Sequence, residues 1–119
     1  MVSDADQASR PYCYLTTSGR RTGRRHRIEI WFALYRGTIY LLSGDRDRSD
    51  WVRNLMASSD VMLEIGDEER AARARIVEPD TDEDALARRL LLEKYQPGYG
   101  EDLSEWGRTA LPVAIGWLG

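Results

Sequence analysis

The residues best suited to chemistry lie near the N-terminus, in Leu15-Thr16-Thr17-Ser18-Gly19-Arg20-Arg21-Thr22-Gly23-Arg24-Arg25-His26-Arg27. This strand-like run breaks into a turn carrying five arginines. Its two glycines allow φ > 0 or a close approach of backbone to a ligand, and its hydroxyl and guanidinium groups are the donors that a phosphate needs. An anion-binding turn and a solvated turn that keeps the protein soluble both fit this local composition. Lys94 is the only lysine, so nearly all the positive charge is of the bidentate, phosphate-matching kind. A GC-rich genome would produce the same bias.

Other reactive residue types offer less. Cys13 is the single cysteine and cannot form an internal disulfide. In a β-like stretch without an activating motif it reads as a small buried apolar residue of a reducing compartment. His26, the only histidine, sits among arginines and reads as a solvent-facing turn residue. The acidic run from Glu78 to Asp84 precedes a helical pattern, where the helix dipole explains it better than catalysis or metal binding. No metal ligands are expected.

The chain has 119 residues, 42% of them hydrophobic, enough for one domain with its own core. With 17 basic and 20 acidic residues the net charge is −3, so no global field draws the protein to nucleic acid or to an anionic membrane. No apolar run reaches the roughly 18 residues of a membrane span. Residues 1–10 are polar and lack a signal core, so they are expected to be a flexible segment ahead of one domain at 11–119, in a cytoplasmic protein.

To position the arginine turn the chain needs strands on either side. Residues 11–17 have strand character, and 26–35 alternate Ile28, Ile30, Phe32 and Leu34 with Arg27, Glu29, Trp31 and Ala33, a half-buried strand. Arg36-Gly37 forms a tight turn into a strand at 38–43. Ser49 reads as the N-cap of a short helix with Trp51, Val52, Leu55 and Met56 on its apolar side. Residues 60–65 and 70–78 form a second hairpin through Gly66-Asp67. Thr81 can cap a helix over 82–95 that buries Leu86, Leu90, Leu91 and Tyr95. Residues 102–109 are a short helical piece, and 110–115 a last strand in which Pro112 hints at an edge or a bulge. The order β-β-β-α-β-β-α-α-β, mainly β with α, must close or fold over its sheet, and a small barrel of about six antiparallel strands with two or three helices is the economical solution.

The chain resembles the deazaflavin-dependent nitroreductase family, a branch of the split β-barrel flavin and deazaflavin oxidoreductases. The resemblance runs from about Tyr14 to Ile115. It rests on 15–23 of the arginine turn, on Gly37 with Leu41-Leu42-Ser43-Gly44, on Asp50-Trp51-Val52-Arg53-Asn54-Leu55, and on Lys94-Tyr95-Gln96 with Ser104-Glu105-Trp106-Gly107-Arg108-Thr109-Ala110-Leu111-Pro112-Val113. Each motif is weak alone; four in this order are specific.

The resemblance implies a split, FMN-binding-like barrel that binds coenzyme F420, a 5-deazaflavin with a phosphate and an oligoglutamate tail. It further implies hydride transfer to a small electrophilic acceptor, a nitroaromatic, quinone or enone. Arg20, Arg21, Thr22 and Gly23 would cradle the phosphate and tail, and Arg48 would reach the anionic portion. Ser43 and Gly44 would bring backbone to the cofactor. Trp51 and Asn54 would face the ring system, and Ile30, Trp31 and Phe32 would run beneath it. Tyr95 and Tyr99 would line the substrate pocket, with Tyr95 as the proton donor. Little else is demanded of side chains, because the cofactor carries the reactivity.

The chain departs from its relatives where some have a lysine after Ser43, since here the loop reads Gly44-Asp45-Arg46-Asp47-Arg48. Leu103 stands where another aromatic could. The long N-terminal segment of some relatives is missing, which points away from a membrane acceptor, while pairing of two copies across the sheet stays open. The alternatives are an FMN reductase on the same barrel, a carrier of F420 or flavin without turnover, and a nucleic-acid module using Tyr12, Tyr14, Tyr35 and Tyr40 for stacking. The acidic composition speaks against the last. Glu29 reads as a surface charge, and Trp106 and Trp117 as core or interface aromatics.

Overall fold

The computed structural model describes residues 4–118. Seven strands, β1 (Cys13–Ser18), β2 (Arg25–Ile30), β3 (Ala33–Tyr35), β4 (Thr38–Ser43), β5 (Asp60–Ile65), β6 (Glu68–Ile76) and β7 (Leu111–Trp117), form one sheet. Its order is β2-β1-β5-β6-β7-β4-β3, and each neighbouring pair is antiparallel. Four α-helices accompany it: α1 (Asp4–Ala8), α2 (Asp50–Ala57), α3 (Asp82–Tyr95) and α4 (Ser104–Thr109).

The two edge strands, β2 and β3, are separated in sequence only by Trp31 and Phe32. A link that short can join opposite edges only if the sheet curls until they meet, so the sheet forms a barrel split along one seam. The expected single strand at 26–35 is therefore two, and the strand count rises from about six to seven. Its alternation nevertheless runs on across the break. Ile28, Ile30, Phe32 and Leu34 pack with the barrel interior, alongside Leu15, Ile39, Leu41, Leu63, Ile65, Val113 and Ile115. Trp31, Ala33 and Tyr35 pack outside it, with Tyr40, Leu42, Ala114 and the Ala87 and Leu91 face of α3.

At the seam the backbone of Phe32 lacks a strand partner, and α3 supplies the missing groups. The Phe32 N–H donates to the Tyr95 hydroxyl at 3.0 Å, while Tyr95 Oη and Lys94 Nζ donate to the Phe32 carbonyl at 3.0 and 2.9 Å. Side chains thus satisfy what a ladder would otherwise satisfy.

Local signals explain most of the remaining elements. Arg36 and Gly37 both take positive φ, 50° and 81°, the left-handed pair of a tight hairpin turn. Thr81 Oγ1 accepts from the Asp84 N–H at 3.1 Å, capping α3 as expected. At α2, Ser49 holds the N-cap position but caps nothing with its side chain, because its hydroxyl bonds Ser43 Oγ and donates to the Arg46 carbonyl. Val52 and Leu55 of α2 are buried and Trp51 partly so, whereas Met56, expected on the same face, is 61% exposed. A Cβ at Gly107 would come within 2.6 Å of Leu92, so glycine lets α4 lie against α3.

Two expectations need correction. Pro112 is not on an edge: β7 lies between β6 and β4, with Pro112 opposite Leu42, and its carbonyl accepts from the Val77 N–H beyond the end of the β6 ladder. Lacking an N–H is tolerable there because Pro112 is only the second residue of its strand. Residues 4–8, placed in a flexible segment by their polarity, form α1, and Gln7 is buried. Cys13 is fully buried, and burial pushes its thiol up to about 12, as befits an inert core residue.

Candidate active site

The arginine turn is held closed by its own backbone. The Gly19 N–H donates to the Arg24 carbonyl at 2.7 Å and the Gly23 N–H to the Gly19 carbonyl at 2.8 Å, with Gly23 at φ +73°. Thr22 Oγ1 accepts from the Arg24 N–H. Helix α2 then fixes the turn from outside. Asn54 Oδ1 accepts from the Arg20 N–H at 3.2 Å and from its Nη1 at 2.9 Å, Asn54 Nδ2 donates to Thr17 Oγ1, and Asp50 pairs with Arg20 Nη2. Asn54 is 2% exposed, so this amide is a buried clamp.

Between turn and helix lies a cavity of about 270 Å³ lined by Gly19, Arg20, Arg21, Thr22, His26, Asp50 and Asn54. Among the described residues, Arg21, Arg24, Arg25 and Arg48 have no acidic partner, whereas Arg73, Arg75 and Arg88 are paired with Asp60, Glu83 and Asp84. Of these, Arg21 lines the cavity itself, and Arg24 belongs to the same turn.

Just past the end of β2, Trp31 organises an aromatic cleft. Its ring stacks on Tyr95 with centroids 4.3 Å apart and planes 3° apart, and meets Tyr99 and Trp106 edge-on at 5.4 and 5.6 Å. A cavity of about 430 Å³ opens here, with Tyr12, Glu29, Ile30, Leu42 and Leu103 completing its walls. Gly44 lies beside this cleft, since a Cβ at this position would stand 3.6 Å from the Trp106 ring. A further cavity of about 460 Å³ shares Tyr12, Trp31 and Tyr99 and extends to Lys94 and Tyr95.

Of the residues singled out by sequence, Arg20, Arg21, Thr22 and Asn54 come together at the polar cavity, with Gly23 in the same turn. Ile30, Trp31 and Tyr99 come together at the aromatic cleft. Arg48 is exposed in a short 3₁₀ turn at Arg46–Arg48. Others are placed differently from expectation. Phe32 is fully buried and faces the barrel interior, because alternation puts it opposite Trp31. Ser43 is buried with its hydroxyl committed to Arg46 and Ser49, and Trp51 packs on the barrel core outside the lining of these cavities. The Tyr95 hydroxyl also donates to the Pro11 carbonyl at 2.9 Å, and burial pushes it up to about 12. So tied, it is poorly suited to giving up a proton.

Sequence reasoning missed Tyr12, Leu42, Trp106 and Lys94 as cavity residues and favoured the surface for Glu29. Glu29 is indeed exposed, and accepts from the Tyr14 hydroxyl at 2.9 Å, yet it borders the cleft. The proximity of Trp106 to Trp31 depends on the packing of α4 against α3, for which Gly107 was the only local sign.

The sequence profile of the family described as F420H(2)-dependent quinone reductase matches residues 5–116. The chain belongs to this family. It is an oxidoreductase with coenzyme F420 as its cofactor. No curated protein matches the chain. Among solved structures it is similar to an F420-H2 dependent reductase, FDR-A, with 24% identity, TM-score 0.72, 89% of this chain and 93% of that one covered. A second, an F420 reductase, has 16% identity and TM-score 0.69 over 100% and 97% of the two chains. HutZ, a heme storage protein from Vibrio cholerae, has TM-score 0.78 at 17% identity over 97% and 87%. At such identities these matches show the shared split-barrel, FMN-binding-like fold. This family member offers a fitting donor set for F420: unpaired guanidinium groups at the turn for phosphate and glutamates, and flat aromatic walls nearby for a ring system. No helix among the described residues is long and apolar enough to cross a membrane.

Proposed function

We propose that the protein reduces a small planar electrophile, with a quinone as the preferred class and enones and nitroaromatics as related ones, at the aromatic cleft around Trp31. The observation that carries this reading is the layout of β2. His26 at one end borders the arginine cavity, and Ile30 at the other borders the cleft. Three residues of strand lie between them, a span of four steps or about 13 Å at the usual strand rise. A ligand with an anionic tail and a flat head can span such a distance.

In this reading Arg21 and the backbone around Gly23 hold the phosphate, with Arg24, Arg25 and Arg48 as counter-charges to the glutamates. Arg20 is fixed by Asn54 and Asp50 and shapes the cavity. Ile30, Trp31 and Gly44 lie where the ring would be seated, while Tyr99 and Trp106 form walls for the acceptor and exclude water. When bound, reduced F420 supplies the hydride. The protein's part is orientation: Tyr95 stacks under Trp31 and, through its bonds to Phe32, prevents that ring from shifting.

The test is twofold. Equilibrium titration followed by tryptophan quenching should show F420 bound more tightly than FMN, since one phosphate uses fewer of the arginines than a polyglutamate tail does. Menadione should then oxidise bound reduced F420 in stopped-flow absorbance. Tight binding without oxidation by menadione, an enone or a nitroaromatic would reject the acceptor assignment.

A further inference from the structure

Reduction of a quinone or an enone by hydride leaves an oxyanion that must be protonated, and the tyrosine that the sequence offered for this step is occupied. Its one proton is shared between the Pro11 and Phe32 carbonyls, both within hydrogen-bond distance, and its oxygen accepts from the Phe32 N–H. The neighbouring residue on α3 is differently placed. Lys94 is the only lysine of the chain and borders the cavity of about 460 Å³ that shares Tyr12, Trp31 and Tyr99 with the acceptor cleft. Its Nζ donates to the Phe32 carbonyl at 2.9 Å and lies 3.7 Å from the centroid of the Phe32 ring. These contacts pin the ammonium at the seam and use only one of its three N–H groups.

We propose that Lys94 is the general acid of the reaction, giving a proton to the acceptor oxygen as the hydride arrives. The inference rests on the quinone-reductase reading above. In the step, reduced F420 is the oxidised partner and the acceptor receives the hydride with its electron pair. A Lys94 N–H bond breaks and an O–H bond forms on the acceptor. The N–H electron pair stays on nitrogen, and solvent reprotonates the amine. The titratable groups around Lys94 are Cys13 from β1, Tyr95 from its own helix, and Tyr12 and Tyr99 across the cavity. Burial dominates among them and brings Lys94 down to about 8, with Cys13 acting weakly the other way. At neutral pH the residue is thus mostly charged, yet gives up a proton far more readily than an exposed lysine does.

Because the lysine is unique, it can be followed without ambiguity in the unmodified protein. Acetylation by acetic anhydride across pH, read for the Lys94 peptide by mass spectrometry, should show a midpoint near pH 8, and menadione should protect the amine. A midpoint above about 10, the ordinary lysine value, or an absence of protection would overturn the proposal. In turnover, kcat with menadione should fall as pH rises through 8. Lys94→Met should lower kcat by about 10²-fold or more and abolish that limb of the profile, with F420 affinity changed less than about twofold. Lys94→Arg keeps the charge and guards against loss of folding; it too should be slow, because a guanidinium does not release its proton. Should either folded variant turn over normally while wild type reduces menadione, Lys94 is not the acid, though the quinone reading stands. If wild type fails to reduce menadione, an enone or a nitroaromatic, both fall together.

Discussion

Polar side chains are treated in opposite ways in two regions of this molecule. Along β6 and the first half of α3, Arg73, Arg75 and Arg88 are each answered by a carboxylate. Arg75 meets Glu83 through two bonds of 2.7 Å, Tyr40 donates to the same carboxylate at 2.8 Å, and Arg88 joins Asp84 while donating to the Gly107 carbonyl. At the turn between β1 and β2 and the first residue of β2, Arg21, Arg24 and Arg25 have no acidic partner among the described residues. Like charges gathered on a short turn contribute nothing to folding and repel one another, so their grouping is better explained by an anionic partner than by stability. Closed groups should therefore govern stability, and open groups binding.

The largest effect is expected at an open group. Arg21→Ala should weaken F420 by roughly 1.5–3 kcal/mol, the range of a charge-assisted hydrogen bond, and should flatten the salt dependence of binding measured by titration at two ionic strengths. The thermal midpoint should be unchanged or slightly higher, because one repulsive charge is gone. A matching loss of stability would place Arg21 in the closed class.

Tyr95 supplies the reverse case. Tyr95→Phe keeps the stack on Trp31 but removes the acceptor of the Phe32 N–H, at a cost of about 1–3 kcal/mol for a buried donor left unpaired. Chemical denaturation should register this loss. Turnover of the folded variant should stay within a few-fold of wild type, since the hydroxyl belongs to the seam; a loss of about 10²-fold would restore it as the proton donor.

These two residues also show what the sequence makes legible. The arginine turn is visible because its chemistry is local: residue types, glycines and spacing lie within one short segment. The bounds of α3 are visible for the same reason, with Thr81 before it and Pro97 after it. The role of Tyr95 depends instead on Phe32, 63 positions away, and on a break in a strand whose alternation continues undisturbed. Periodicity records which face a residue takes and carries no mark of which neighbour its backbone pairs with, so Trp31 and Phe32 read as mid-strand although they cross the seam. Trp106 was hidden likewise, since its approach to Trp31 follows from the packing of one helix on another. Lys94 was quoted as part of a motif, but its value as an acid comes from burial that only the closed barrel creates.

The smallest effect tests the closed class by pH. The hydrogen bonds from Arg75, and secondarily the Tyr40 hydroxyl, hold the Glu83 carboxyl below its ordinary value of 4.5 against an opposing push from burial. A carboxyl with a lower value in the fold than in the unfolded chain stabilises the fold in full above the unfolded value and loses that contribution as the pH falls through the folded one. The pair is substantially solvated, with Arg75 57% and Glu83 31% exposed, so the contribution is under about 1 kcal/mol. Denaturation midpoints measured from pH 6 downward should therefore decline below pH 4.5 in wild type, and Glu83→Gln should start lower and decline less steeply. F420 affinity at pH 7 should be the same in both proteins, because Glu83 serves the frame. A change in affinity would mean that the paired arginines of β6 communicate with the open ones at the turn, and the division between the two regions would have to be redrawn.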